Sequence, residues 1–295
     1  MPKRRKRDFL IRGFSKLLKE DKLKIVSELM DNQVETMDLL KSFWHLDKSK
    51  QEIFDEFSEN TISNFYIPYG IAPNVVVNGH TYHVPVVIEE SSVVAAASSA
   101  SRFWSERGGF KAEVIDVEKI GQVHFIWAGP KEKLVKVFDE LKYYLRGATA
   151  DTTKNMEKRG GGIIDFELID YTDSIENYYQ IKVNFNTVDS MGANFINSCL
   201  EEFAPALQNF FKTHKIFSKE EKECEIVMSI LSNYTPNCVV KAWVECNFKD
   251  LDGLYGDMNG EHFARKFETA VKIAETDVYR ATTHNKGIFN GVDAV

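Results

Sequence analysis

The chain has 295 residues, enough for about two domains, and its 43% hydrophobic and 27% charged residues are ordinary for a globular protein that buries a core. Lys and Arg number 37 and Asp and Glu number 44, and the resulting net charge of −7 argues against a general nucleic-acid binder. The sequence has no apolar run of about 18 residues that would predict a membrane span, and no apolar segment of the kind that follows the basic end of a secretory signal.

One basic stretch, PKRRKR at residues 2–7, stands against this acidic background. A run of like charges is usually a solvated arm, so we favour that interpretation over a nucleic-acid or membrane contact. The four cysteines, at positions 199, 224, 238 and 246, have no C-x-x-C spacing and are too few for a disulfide framework. We therefore predict reduced thiols in the cytoplasm, and no metal site.

Helix and strand signals follow one another in the first third of the chain. Apolar residues recur at helical spacing over residues 8–57 and predict a helical lead-in. Two apolar runs flank Asn78-Gly79, and Asn-Gly is the strongest short hairpin signal because both residues tolerate positive φ. A helix rich in Ala and Ser comes next, with Ser91 or Ser92 as its predicted cap. Its small side chains would let another backbone approach closely.

Beyond a glycine hinge at residues 107–110, strand-like and helical segments alternate. Several of these strands look antiparallel, which is the signature of an α+β layer with helices on one face of a sheet. We place a separate small domain at residues 110–225. More strand signals and an amphipathic helix follow it. The predicted apolar face of that helix carries Phe263, Phe267, Ala270, Val271 and Ala274.

Two adjacent carboxylates, Glu89 and Glu90, end a strongly apolar strand just before the small-residue helix. The plainer interpretation is that one of them interacts with the helix N-terminus, where negative charge is favoured. A carboxylate held in an apolar cleft would instead have a raised pKa and could donate a proton near neutral pH. The residues themselves leave both interpretations open.

The segment DSMGAN at residues 189–194 lies where a strand meets a long helix. Gly192 would let a ligand approach the backbone, and the helix N-terminus would offer N–H groups to a phosphate, although many strand-to-helix turns look similar. The RGGG at residues 159–162 is better explained as a flexible turn. The sequence has no G-x-G-x-x-G after a strand, so a Rossmann cofactor site is not supported.

Lys286 stands between Asn285 and Gly287 in the segment HNKGIFNGVDAV. A surface lysine is usually just solvated. Beside glycines that permit close approach of a substrate, however, its ammonium could stabilise an oxygen that gains negative charge. The neighbouring His284 fits a structural hydrogen bond as well as it fits a catalytic role.

Six segments occur in the order typical of one family. They are ENTIS (59–63), PYGIAPNVVVNG (68–79), VPVVIEESSVVAAAS (84–98), DSMGANFIN (189–197), ILSN (230–233) and YRATTHNKGIFNGVDAV (279–295). Together they resemble the motifs of hydroxymethylglutaryl-CoA reductase, and the pattern is closer to the bacterial soluble class, class II, than to the membrane-anchored one. The resemblance covers residues 59–295 and, more loosely, the helical lead-in.

The resemblance implies an α+β fold with a large domain and an inserted, ferredoxin-like small domain. The large domain would comprise residues 1–109 and 226–295, and the small nicotinamide-cofactor-binding domain residues 110–225. The implied activity is the NAD(P)-dependent interconversion of 3-hydroxy-3-methylglutaryl-CoA and mevalonate plus CoA, a step of isoprenoid biosynthesis. The cofactor would be NADPH or NADH, with the choice and the direction of reaction left open. The implied assembly is a homodimer with the active site at its interface.

The resemblance also implies roles for individual residues. Glu90 would be the catalytic glutamate, and Lys286 the lysine that polarises first the thioester and then the aldehyde carbonyl. The implied substrate-binding residues are Ser92, Asn233, Arg280 and Asn290, and the implied cofactor-binding residues are Asp189, Met191, Gly192, Ala193 and Asn194. Each hydride transfer leaves an oxyanion, which needs a cation and then a proton, so a lysine and a glutamate suit the chemistry.

The sequence departs from the family motifs at three positions. Ser63 stands where glycine is usual, Ser91 where proline is usual and Val278 where proline is common. The family also continues beyond this point with a catalytic aspartate and a histidine that protonates the CoA thiolate. We therefore expect a C-terminally truncated reductase that is inactive alone and active if its missing portion is supplied. The alternative is a non-catalytic remnant that at most binds a CoA ester or the cofactor.

Overall fold

The computed structural model describes residues 10–295, which form two compact units. The first unit combines the described residues up to Gly109 with Glu245–Val295, and the second is Phe110–Val244. Helices and antiparallel strands both contribute, so the predicted α+β class is confirmed. Over residues 10–295, the helices are all too short or too polar to cross a membrane.

Helices and one hairpin form the first part of the first unit. In chain order they are α1 (Lys19–Glu28), α2 (Gln33–Ser42), α3 (Lys48–Glu56), β1 (Tyr69–Val77), β2 (His80–Val87) and α4 (Ser91–Ser105). Asn78 and Gly79 turn the hairpin with φ angles of 49° and 83°. The predicted Asn-Gly turn is therefore confirmed, and it joins the two strands that lead to Glu90.

The lead-in helices hold the segment that precedes the hairpin. The Trp44 indole donates to the Ile62 carbonyl at 2.9 Å, and the Lys19 ammonium lies 4.2 Å from the centre of the Trp44 ring. Ser63, a serine where the resembled motif has glycine, donates from Oγ to the Leu40 carbonyl at 2.6 Å. The extra hydroxyl is thus satisfied by α2, which explains why serine is accommodated here.

Five strands and four helices build the second unit within Phe110–Val244. They are β3 (Lys111–Ile126), α5 (Lys131–Lys136), α6 (Phe138–Ala148), α7 (Ala150–Glu157), β4 (Gly162–Asp170), β5 (Tyr178–Asn186), α8 (Ala193–Thr213), β6 (Glu225–Leu231) and β7 (Cys238–Trp243). The sheet order is β4-β5-β3-β6, and β7 pairs with the first half of β3. Apart from β7, this is the element order of ferredoxin-like domains, and that finer classification stays a prediction.

The core of the second unit lies between the sheet and its helices. Successive strand residues point to opposite faces, so Val123 and Phe125 face the helices while His124 faces away. The largest fully buried side chains of this core are Trp127, Phe125, Phe166, Phe185, Phe203 and Phe211. This core fixes both β5 and α8, and therefore the turn between them.

The second unit extends past residue 225, where the sequence predicts its end. β6 pairs with Gly121–Ile126 and β7 with Lys111–Val117, so both are tied to β3. β3 has 16 residues, which gives room for two partners in succession. The compact unit accordingly ends at Val244. The two late strands look independent in sequence because their partner strand lies about 100 residues or more earlier in the chain.

Two further helices, α9 (Gly260–Thr276) and α10 (Val278–Ala294), complete the first unit. α9 forms where an amphipathic helix is predicted, but its apolar face is not buried, since Phe267 is 65% and Val271 38% exposed. α9 instead packs on α10 and on the turn at Phe248–Leu251. At Gly260 that contact is so close that a Cβ atom would lie 1.6 Å from the Phe248 carbonyl oxygen.

A polar network covers the face of the sheet opposite the helices. His124 Nδ1 and Tyr178 Oη are 2.7 Å apart, and Gln180 hydrogen-bonds the same hydroxyl. Gln122 Nε2 in turn donates to Gln180 Oε1 at 3.0 Å. His124 is buried, and this burial lowers the pKa of its imidazole below the usual range. His124 is therefore neutral at neutral pH.

Acid is expected to weaken the second unit through His124. Because its pKa is lower in the folded chain than the value of about 6.5 in the unfolded chain, the unfolded chain binds more protons between those two values. The stabilising contribution is complete above about pH 6.5 and is lost as the pH falls towards the folded pKa. As the pH is lowered from roughly 7.5 to 5, the Tm of His124→Gln should fall less than the Tm of the unaltered chain. Parallel profiles would contradict this assignment.

Candidate active site

Glu90 occupies the N-cap position of α4 but does not cap the helix with its side chain. Ser91 and Ser92 are the first two helical residues, so the prediction that one of them is the cap is wrong. Instead the Ser92 hydroxyl donates to Glu90 Oε1 at 2.8 Å. The plainer interpretation of the carboxylate pair, a charge on the helix N-terminus, fits the location of Glu90, although no backbone N–H of α4 donates to its side chain.

Two residues of α10 reach the other oxygen of Glu90. Lys286 Nζ lies 3.4 Å and Asn290 Nδ2 3.1 Å from Glu90 Oε2. These two residues are one helical turn apart and therefore share a face of α10. One turn further along, Ala294 is buried against Ala72 and Val86 of the hairpin. The packing of Ala294 thus aims the face with Lys286 and Asn290 at the start of α4.

The hydrogen bond from Ser92, followed by the hydrogen bond and charge of Lys286, holds the pKa of the Glu90 carboxyl below its usual range. Glu90 is therefore ionised at neutral pH. The alternative of a raised pKa in an apolar cleft is wrong for this arrangement, because the side chains of Glu90 and Lys286 are 47% and 65% exposed. Such an exposed ion pair contributes little to stability.

A groove runs beside this group of residues, on the side of Glu89. It has a volume of about 450 Å³, and its lining includes Gly70, Glu89, Ser91, Val94, Ala95 and Ser98. A Cβ atom on Gly70 would lie 3.4 Å from Val94 Cγ1, so β1 lies in ordinary van der Waals contact with α4 at this point. That the Ala and Ser side chains of α4 permit a closer backbone approach stays a prediction, and the groove itself had no separate signal in the sequence.

The remaining residues predicted from the α10 segment do not join Glu90. Arg280 is exposed on α10, six residues before Lys286 and about 120° around the helix from it. His284 is exposed as well. Gly287 and Gly291 are helical, and a Cβ atom on either would meet no atom within 4 Å. The glycines therefore leave open space on one side of α10.

The other predicted residues lie in the second unit. Asn233 is exposed and follows β6. Residues 189–194 form the turn from β5 into α8, where Gly192 is the N-cap with a φ of 78°. A Cβ atom there would lie 2.3 Å from Thr187 Cγ2, so glycine is required for packing as well as for conformation. Met191 is 78% exposed.

The start of α8 has the properties of an anion site. No side chain caps this 21-residue helix, so its first backbone N–H groups are left for another acceptor. The turn also contains Val188 at a φ of 56°, which is unusual for a β-branched residue. Thr187 is completely buried below the turn. The sequence reasoning missed Thr187, although it stands only two residues before the DSMGAN segment.

Comparison with known proteins places these residues in a family. The family model described as hydroxymethylglutaryl-coenzyme A reductase matches residues 19–295. The chain belongs to this family. The match includes Glu90, Lys286 and the turn at residues 189–194, so both groups of residues described above lie within the reductase homology.

Reductases of this family from three organisms illustrate the similarity. The 3-hydroxy-3-methylglutaryl-coenzyme A reductase of Archaeoglobus fulgidus is 30% identical over 289 residues, covering 97% of this chain and 60% of the relative. The probable reductase of Borreliella burgdorferi is 31% identical over 257 residues, covering 86% and 54%. The class II reductase of Streptococcus pneumoniae, bound to NADPH in open conformations, is 33% identical with a TM-score of 0.67, covering 97% of this chain and 73% of that one.

The chain spans 60% and 54% of the length of the first two relatives. Family membership therefore applies to the aligned region, which contains the Glu90 group and the α8 turn. The activity, substrates and assembly of the complete reductases are proposals for this chain.

Proposed function

We propose that this protein carries out the reductase reaction, the NAD(P)-dependent interconversion of 3-hydroxy-3-methylglutaryl-CoA and mevalonate plus CoA. The observation that carries the proposal is the convergence of Ser92, Lys286 and Asn290 on Glu90, in a chain that belongs to the reductase family. A cation, a carboxylate and two neutral donors at one place suit a reaction that creates and then protonates an oxyanion.

Lys286 is proposed to stabilise the oxygen of the reacting carbonyl. A nicotinamide cofactor, when bound, supplies hydride to the carbonyl carbon and leaves negative charge on its oxygen. The Lys286 ammonium is 65% exposed, so a substrate oxygen can approach it without displacing protein atoms. Its one ion pair in the described part of the chain is with Glu90 at 3.4 Å, which leaves donor capacity for that oxygen.

Glu90 is proposed to exchange the proton that neutralises this oxygen. Its Oε2 faces Lys286 Nζ, so a proton held at Oε2 lies next to any oxygen that the ammonium binds. The pKa of the Glu90 carboxyl is held low, so Glu90 must take up a proton before it can donate one. We propose that bound substrate displaces water from the carboxylate, which raises its pKa and favours this uptake. Ser92 and Asn290 donate to the two carboxyl oxygens, and we propose that they orient Glu90 as well as contact substrate.

The second unit is proposed to bind the nicotinamide cofactor, NADPH or NADH, at residues 189–194. The uncapped start of α8 and the exposed side chains of Asp189, Met191 and Asn194 suit a dinucleotide with phosphates. That the Streptococcus pneumoniae reductase binds NADPH supports a nicotinamide nucleotide here. Substrate contacts by Arg280 and Asn233, a homodimeric assembly with the site at its interface and a cytoplasmic location are further proposals, supported by the sequence resemblance.

Glu90→Gln tests the proposed function. It keeps the shape of the side chain and removes the acid, so thioester reduction should fall by about 10²-fold or more. The measurement is the absorbance change of NADPH or NADH with 3-hydroxy-3-methylglutaryl-CoA, made on this chain and on a version extended with the family's catalytic aspartate and histidine. Glu89→Gln is the matched control, and it should retain turnover within a fewfold, because the hydrogen bonds from Ser92, Lys286 and Asn290 all go to Glu90.

Two results would contradict the proposal. A larger loss with Glu89→Gln would mean that the neighbouring carboxylate is the functional one. If the CoA ester binds in calorimetry but neither this chain nor a version extended with the family's catalytic aspartate and histidine turns over with either nucleotide, a binding protein would be favoured over a reductase.

A further inference from the structure

Lys119 lies on β3 and reaches the turn between β5 and α8. Its ammonium donates to the Ser190 carbonyl at 3.1 Å, and its side chain is half-buried. None of the salt bridges within residues 10–295 includes Lys119. An ammonium has three donors, and the one described contact of Lys119 uses a single donor, so the others remain available to a ligand.

The Ser190 carbonyl does not need Lys119 as its donor. The buried Thr187 hydroxyl already donates to the same oxygen at 2.7 Å. Ser190 returns this contact, since its hydroxyl donates to the Thr187 carbonyl at 2.8 Å and its backbone N–H to the same carbonyl at 3.1 Å. The turn is therefore closed by neutral hydrogen bonds of its own, and the Ser190 carbonyl has a donor without Lys119.

The ammonium also lies close to the uncapped start of α8. Ser190 stands two residues before the N-cap Gly192. Three Cα–Cα steps of about 3.8 Å separate Ser190 from Ala193, the first helical residue, so the ammonium lies within roughly 15 Å of the first helical N–H groups. Both groups attract negative charge, so an anion lying between them would be within a Debye length of each.

We propose that Lys119 binds a phosphate of the nicotinamide dinucleotide, beside the N-terminus of α8. This inference rests on the proposed function, because it takes the dinucleotide as the ligand of the α8 turn. In it Lys119 contributes affinity through its charge, and the contact to Ser190 only aims the ammonium. The residue lies on a strand 70 positions before the DSMGAN segment and belongs to none of the sequence motifs singled out above.

Lys119→Gln separates the charge from the hydrogen bond. Glutamine keeps an N–H donor, one bond shorter than the lysine ammonium, but carries no charge. NADPH and NADH should each bind about tenfold more weakly to this variant in calorimetric titrations at low salt, and the difference should shrink at high salt because screening weakens the lost attraction. Lys119→Arg should bind within about threefold of the unaltered chain, since the cation is kept.

Lys212→Met provides the control for net charge. Lys212 lies in the last turn of the same helix, about 30 Å from its N-terminus, and its loss should leave nucleotide binding unchanged. Lys119→Gln that binds NADPH and NADH as tightly as the unaltered chain would overturn the role of Lys119 alone. An unaltered chain that binds neither nucleotide would remove the proposed cofactor site, and the Lys119 proposal with it.

Discussion

Lys286→Met is expected to reduce turnover by about 10²–10³-fold, the usual effect of removing a group that stabilises an oxyanion. Methionine keeps an unbranched side chain of similar length on α10 but has no charge and no donor. The fold should be unaffected, because the ion pair that is lost is exposed and joins only Lys286 to Glu90. The measurement is kcat and KM for 3-hydroxy-3-methylglutaryl-CoA with NADPH or NADH, together with thermal unfolding.

Lys272→Met is the matched control for this variant. Lys272 lies on the neighbouring α9, has the same 65% side-chain exposure as Lys286 and also pairs with one glutamate, Glu268. Its replacement removes the same charge from the same unit, but at a position away from Glu90. We expect turnover within about twofold of the unaltered chain, as for an ordinary surface substitution. Equal turnover in both variants would remove Lys286 from the mechanism.

Gly192→Ala is expected to destabilise the second unit by roughly 2–5 kcal/mol. A left-handed conformation costs a non-glycine residue about 1–2 kcal/mol, and the overlap of the new Cβ with Thr187 adds about 1–3 kcal/mol. The overlap follows from a Cβ position 2.3 Å from Thr187 Cγ2, at a φ of 78°. Denaturant unfolding should show the loss. NADPH should also bind at least about tenfold more weakly, because the displaced turn moves the backbone N–H groups proposed to contact its phosphates.

Gly147→Ala separates this effect from that of adding a methyl group in general. Gly147 lies inside α6 of the same unit, and a Cβ atom there would meet no atom within 4 Å. Alanine should therefore stabilise the helix by up to about 1 kcal/mol and leave nucleotide binding unchanged. If Gly192→Ala were as stable as Gly147→Ala, Thr187 would have moved to make room for the new Cβ. The predicted destabilisation by overlap would then be wrong.

The sequence predicts local features of the fold well where two or three neighbouring residues decide them. The Asn78-Gly79 turn and the small-residue helix α4 are of this kind. The start of α4 is not, because serine is favoured at an N-cap but Ser92 instead donates to Glu90. Burial on α9 is also mispredicted, since its amphipathic pattern fixes which residues share a face but not whether another element covers that face.

Features that depend on contacts between distant parts of the chain could not be predicted from the sequence for a different reason. The end of the second unit depends on β6 and β7 pairing with β3, and strand pairing carries no local signal over such a separation. The proposed roles of Thr187 and Lys119 likewise depend on their contacts in the folded chain. Each is an ordinary residue in its own segment, and only the folded chain brings both to the Ser190 carbonyl.

The sequence by itself determined the family, because the order and spacing of its motifs are properties of the chain and need no folding. It also supplied the chemical groups, a carboxylate at Glu90 and an ammonium at Lys286. The tertiary structure decided that these two groups, 196 residues apart, meet at 3.4 Å, through the packing of Ala294 on the hairpin. It also decided that Glu90 is ionised, because a pKa depends on which donors and how much water surround a carboxyl, and packing alone sets both.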